Sequence, residues 1–289
     1  TIRVWSGAGD GVDIDNATNW DGTVPTSSAG DTGEWNGTPA GNLFLTHNSS
    51  GPLNSGTPGI SLYLTANQTG SVSVISRVAA SANIALNGIT MDSGAGAFSL
   101  GDNTANVLNL ILRPSSTGGP PNAPIHIWAN NSANAATIYP NTRWQSGGGN
   151  PHVVQIDGTG DWIVNDTLCM ANGPATFFVK TGTGRWFWSA NSIAGAAPSG
   201  GIASPIDIEG GTLIITASST LLNTQRFTNN ATLQYDAATA QTLSGPFNGT
   251  GTVRVSKGTL TLSSSQSDFT GNIDLTNNGV LVVGGAQNV

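Results

Sequence analysis

The chain is poor in charge. Asp, Glu, Lys and Arg make up 9% of its 289 residues, against roughly 25% in an average soluble domain. Lys180 and Lys257 are its two lysines, Glu34 and Glu209 its two glutamates, so extended ion-pair networks are excluded as the source of stability. The nine basic residues are scattered singly in a chain of net charge −7. No cationic stripe is available to neutralise phosphates, which makes nucleic acid and anionic membrane surfaces poor partners. Cys169 is a single cysteine, which excludes an internal disulfide. Its neighbours Leu168 and Met170 suit a buried thiol, the alternative being an intermolecular disulfide. No apolar run approaches the roughly 18 residues of a membrane helix, and no leader of secretory type opens the sequence. A start at Thr1 in place of Met suggests a mature or excised product. An apolar stripe of helical period is missing as well.

Gly, Asn, Ser and Thr fill the space that charge leaves, and they make turns and hydrogen-bonded surfaces. Between them run short alternating segments. Thr259–Leu262 and Val280–Val283 are examples near the C-terminus, and ISLYLTAN, GSVSVISRVA, ANIALNGITM and NVLNLILR lie earlier, between Leu43 and Leu112. Alternation bounded by turn residues predicts strands with one buried face. The Pro-rich stretch from Pro114 and the segment Pro140–Pro151 read as loops, since Pro at such density does not sit inside sheet ladders.

Repeats organise these strands. The triplet GTL begins at Gly211 and at Gly258, 47 residues apart, and TNN begins at Thr228 and Thr276, 48 apart. Such self-similarity is the mark of a solenoid, whose units bury their apolar faces against one another. GTG begins at Gly158 and Gly182, 24 residues apart, and again at Gly249, 67 further on. The shorter interval predicts a coil of about two dozen residues, half the longer period, and the 67-residue interval predicts loops of unequal length.

The segments KTGTGRWFWSANS from Lys180, IDIEGGTLIIT from Ile206 and GTGTVRVSKGTLTLSSSQSDFTGNIDLTNNGVLVV from Gly249 together resemble the autotransporter-associated β-strand repeat. The opening, Val4 to Asp31 with its two tryptophans and a Pro-containing turn, resembles the start of large secreted bacterial proteins that carry such repeats. The likeness covers residues 175–289 well and 1–35 fairly. It departs at Trp186 and Trp188, where the family has Leu or Thr, and in the insertion Ala190–Pro205. The resemblance implies an all-β fold, a right-handed parallel β-helix displayed outside the cell. It implies no single activity, because these repeats are scaffold. Residues 1–45 are expected to form an aromatic N-terminal cap, and 46–289 an irregular β-helix.

Two groups of residues are candidates for a site. Asp10, Asp13, Asp15 and Asn16, in GDGVDIDN, place oxygen-bearing side chains around a turn and could coordinate Ca²⁺; the alternative is an acidic turn with Asx hydrogen bonds. Trp186 and Trp188 share one face of a strand, and facing outward they would form an aromatic platform for surface glycans. Facing inward, they fill the coil. No paired carboxylates or nucleophile motif is recognisable, and His47, His126 and His152 lack metal-ligand spacing. The chain is therefore expected to be a non-enzymatic structural or adhesive protein, secreted or on the cell surface. The alternative is a carbohydrate-binding or polysaccharide-degrading β-helix. A bare strand near Val283 predicts end-to-end self-association into filaments.

Overall fold

The computed structural model describes residues 1–48, 52–54, 58–77, 82–102, 106, 108–113, 125–139, 142–146, 152–165, 176–189, 205–216, 226–264 and 268–284. Cys169, the loop after Pro114 and most of the insertion Ala190–Pro205 lie outside these residues. The described residues form 25 strands, numbered in chain order, and two single-turn 3₁₀ segments, Ala17–Asn19 and Ser27–Ala29.

The strands wind alternately between two long sheets. The first carries, in spatial order, β1 (Ile2–Val4), β2 (Thr32–Trp35), β4 (Ile60–Leu64), β6 (Ala82–Met91), β9 (Ile125–Asn130), β12 (His152–Asp157), β14 (Thr176–Lys180), β16 (Ile206–Ile208), β18 (Phe227–Asn229) and β21 (Phe247–Asn248). The second carries β3 (Leu43–His47), β5 (Val72–Ser76), β7 (Phe98–Leu100), β10 (Ala136–Ile138), β13 (Trp162–Val164), β15 (Arg185–Trp188), β17 (Thr212–Ile215), β19 (Thr232–Tyr235), β22 (Thr252–Val255) and β24 (Asn272–Leu275). A third face holds β20 (Gln241–Leu243), β23 (Thr259–Leu262) and β25 (Val280–Val283). Neighbouring strands are parallel, for example β15 on β17, β17 on β19 and β23 on β25. The chain is a parallel β-helix.

Register gives the coil length directly. Leu213 pairs with Leu233, Leu233 with Val253 and Val253 with Ile273, so the last three coils take 20 residues each. Trp162 pairs with Trp186, a coil of 24, whereas Phe98 pairs with Ala136, a coil of 38. The excess in that wide coil has a visible cause. β6 is long enough to serve two neighbours: Ala82–Leu86 pairs with β8 (Leu108–Leu112), and Ile89–Met91 pairs with β9. The sheet forks there, and β8 goes on to pair with β11 (Thr142–Ser146). The segment Pro140–Pro151 is thus not simply a loop; it contains the strand β11.

The 24-residue GTG interval is a true coil, because a side chain at Gly182 would collide with the backbone of Gly158 directly beneath it. The 47-residue GTL interval is not a stacking register. Gly211 precedes a strand of the second sheet and Gly258 a strand of the third. Both glycines have left-handed backbone, φ 63° and 59°, a conformation that favours Gly. The motif therefore marks a type of strand entry and recurs on more than one face of the coil.

Alternation sends i and i+2 inward, and the inward residues form columns. Leu213, Ile215, Leu233, Val253, Val255 and Leu260 are fully buried and Leu262 nearly so. Trp186 and Trp188 are also completely buried, their rings stacked with centroids 5.2 Å apart and planes 11° apart. This corrects the outward-platform reading. The coil interior at this level is filled on the opposite side by Phe178, whose ring lies 6.0 Å from that of Trp186, and the tryptophans supply the volume to reach it. Phe187 faces out and is covered by the Arg185 guanidinium, 4.9 Å from its ring centre.

Residues 1–45 belong to the same column. β1 and β2 begin the first sheet, and the chain between them folds over the end of the helix. Asp21 closes the outer edge of β1: its N–H donates to the Val4 carbonyl and its carboxylate accepts from the Val4 N–H. Ile14 N–H donates to Thr46 O, and Thr46 N–H to Val12 O, closing the outer edge of β3. Trp5, Trp20 and Trp35 pack edge-on beneath, with centroids 5.1 and 5.7 Å apart, and Trp20 Nε1 donates to Ile14 O. The loop over these tryptophans is thus hydrogen-bonded to both sheets.

Candidate functional site

The acidic turn comes first. Asp10 Oδ1 accepts from the backbone N–H groups of Val12 and Asp13 and from Asn19 Nδ2. These bonds, that of Asp13 foremost, hold its carboxyl well below the usual carboxylate range. Asp13 accepts from Asp15 N–H and Asn48 Nδ2; Asp15 faces His47 Nδ1 at 3.0 Å and accepts from Asn48 N–H; Asn16 accepts from the N–H and hydroxyl of Thr18. Each side chain of the candidate Ca²⁺ set has its own protein partners, and the set ties the cap loop to β3. Among the described residues no three His, Cys, Asp or Glu side chains gather in a way that could hold a metal ion.

Sequence separation hid one pair of titratable groups. His126 Nε2 lies 3.1 Å from His152 Nδ1, and both rings are fully buried. They are 26 residues apart, about one coil, so that interval was the available signal. His126 Nδ1 reaches Asn87 O at 3.0 Å. Burial first, then the neighbouring His152, pushes His126 down to about 4; burial and the Arg113 charge lower His152 as well. Both rings are thus neutral at physiological pH, and one can donate to the other.

Lys180 is equally unexpected inside. It sits in the inward column Trp128, Ile156, Lys180, Ile208, Asn229, almost wholly buried. Its ammonium donates to the carbonyl of Gly182 and reaches that of Gly210 at 3.4 Å. Desolvation lowers its pKa to about 8, against the opposing pull of Asp157 and Asp161. Asn229 does similar work two column positions on, donating to Thr252 O. These buried polar groups satisfy backbone carbonyls at the corner where the first sheet turns into the second.

No protein-family model, curated protein or solved structure matches this chain. Function therefore rests on its surfaces. Among the described residues, the exposed large hydrophobics are Ile2, Val12 and Phe44 near the first coil; Ile125 and Ile127 beside the fork; and Ile273, Leu275, Val280, Val282 and Val283 in the last. The outer edges of β24 and β25 have no neighbour among the described strands. From its first strand onward, the second sheet bears an open groove of about 420 Å³ across β3, β5, β7 and β10. Sequence reading missed it because its residues come from four coils of unequal length.

Proposed function

We propose that this chain is a non-enzymatic structural and adhesive β-helix, secreted or displayed on a cell surface, whose copies join end to end. The observation that carries the reading is the placement of apolar side chains at the two ends of the column. Ile273 and Leu275 occupy the same inward columns as the buried Val253 and Val255, and another molecule's end would bury them as a further coil would. Burial of such surface is favourable at roughly 25 cal/mol per Å². The occupant proposed is a second copy, presenting its N-terminal end with Ile2 and Val12. Since the backbone edges there are already closed by Asp21 and by Val12–Ile14, the contact is of side chains on the cap, and a head-to-tail contact of this kind does not close. The resemblance to autotransporter-associated repeats supports the extracellular setting. The use of His47, His126, His152 and Lys180 inside the fold supports a scaffold over a catalyst.

Analytical ultracentrifugation and electron microscopy of the full chain test this. The wild type is expected to form elongated oligomers that lengthen with concentration, and Leu275→Asp to return them to monomer with unchanged circular dichroism. A monodisperse wild-type monomer at high concentration would overturn end-to-end joining.

A further inference from the structure

We infer that the groove on the outer face of the second sheet is a binding site for a neutral polysaccharide chain. Its floor is an outward row, Phe44, Ser73, Ser99 and Thr137, made adjacent by the registers Phe44 on Ser73, Ser73 on Ser99 and Ser99 on Thr137. Three strand spacings make that row about 14 Å long. Tyr139 and Asp102 complete the lining on the side to which the strands run. Three features of the groove point to the same chemistry.

Phe44 is 73% exposed, the most exposed large hydrophobic side chain among the described residues. An aromatic ring standing at one end of a row of hydroxyls offers a flat apolar face, and a sugar ring has one to lay against it. The middle of the row is a hydroxyl ladder, with Ser99 Oγ donating to Ser73 Oγ at 3.0 Å. Hydroxyls both give and take hydrogen bonds, which suits a ligand whose own groups are hydroxyls. The last feature is charge. Among the described residues no Lys, Arg or His lines the groove, and Asp102 and Tyr139 stand at its edge. In a chain of net charge −7 that environment repels acidic polymers such as uronates. Site volume agrees with the roughly 300–1,000 Å³ of ligand clefts. This site is a property of a single molecule, so it stands apart from end-to-end joining.

The test is calorimetric titration of the full chain with neutral hexasaccharides of β-linked glucose, xylose and mannose, and with hexagalacturonate as the acidic comparison. At least one neutral hexasaccharide is expected to bind, more tightly than hexagalacturonate. Phe44→Ala, which removes an exposed side chain, is expected to weaken that binding about tenfold, a change of about 1.4 kcal/mol, and Ser99→Leu to block it. Leu275→Asp, at the distant end, is expected to bind as the wild type does. Absence of binding to every neutral probe at millimolar concentration would overturn the proposal. So would tighter binding of hexagalacturonate, or binding indifferent to both groove substitutions.

Discussion

At the N-terminal end of the column Trp5, Trp20 and Trp35 are buried beneath a loop whose backbone closes both sheet edges. At the C-terminal end Ile273 and Leu275 are 42% and 53% exposed, although the residues they pair with, Val253 and Val255, are fully buried. The sequence pattern is the same in the two coils; what differs is whether anything lies above. A solenoid residue is buried by the next coil as much as by its own, so burial here depends on position in the stack. The N-terminal segment covers the column with aromatic volume and side-chain hydrogen bonds. The last described coil has no such cover among the described residues.

That contrast can be broken most sharply in one column. Val253→Asp places an unpaired carboxylate in the interior and is expected to cost several kcal/mol, on the order of 3 or more. Ile273→Asp, one coil further, is expected to cost the monomer less than about 1 kcal/mol. Urea denaturation of both variants below the concentration at which copies join measures the difference; equal losses would mean that the last coil is covered.

A smaller effect separates interior from surface by pH. The unfolded chain binds a proton at His126 as pH falls below 6.5, while the folded ring resists until about 4. Stability is therefore expected to decline with acidification through that window and to level off below it, with about 3 kcal/mol attributable to this ring. In His126→Gln the decline should be correspondingly shallower, as followed by thermal unfolding from pH 7 to 4. An unchanged slope would show that the ring is accessible to protons in the folded state.

The smallest effect is expected on the outside. Arg226 pairs with Asp207 at 2.9 Å and Arg254 with Asp274 at 2.7 Å, each pair joining neighbouring coils while half exposed. Arg226→Ala is expected to lower stability by no more than about 1 kcal/mol, and by less in high salt.

Most of the fold was legible in strand alternation. Runs such as Ile60–Leu64 and Thr259–Leu262 read as half-buried strands and are so, and the GTG spacing gave a true coil length. The 47-residue repeat misled because Gly-led strand entries occur on different faces of one coil. In RWFW the alternation is blind, since aromatic residues occupy both faces, and only the width of the interior decides which go in. Loop lengths are the other obstacle. With coils of 19 to 39 residues, neither the histidine pair nor the row from Phe44 to Thr137 falls at a constant interval. The acidic turn was legible as a turn; its partners, His47 at the end of β3 and Asn48 just after it, were not, because they lie 32 and 35 residues on.

At one corner of the helix the main chains of neighbouring coils touch directly: Gly182 rests on Gly158, and Gly184 on Gly160, with Lys180 and Asn130 as the side chains bonded to carbonyls beside them. The glycine-on-glycine contacts themselves do not register which side chains the neighbouring coil carries; only the few bonded side chains beside them do. Coils meeting there could be deleted or duplicated by recombination with little new side-chain complementarity at that corner, leaving selection to act on the two inward faces. The glycine seam is thus a splice line, and it gives the gene a physical place at which the length of the protein can change.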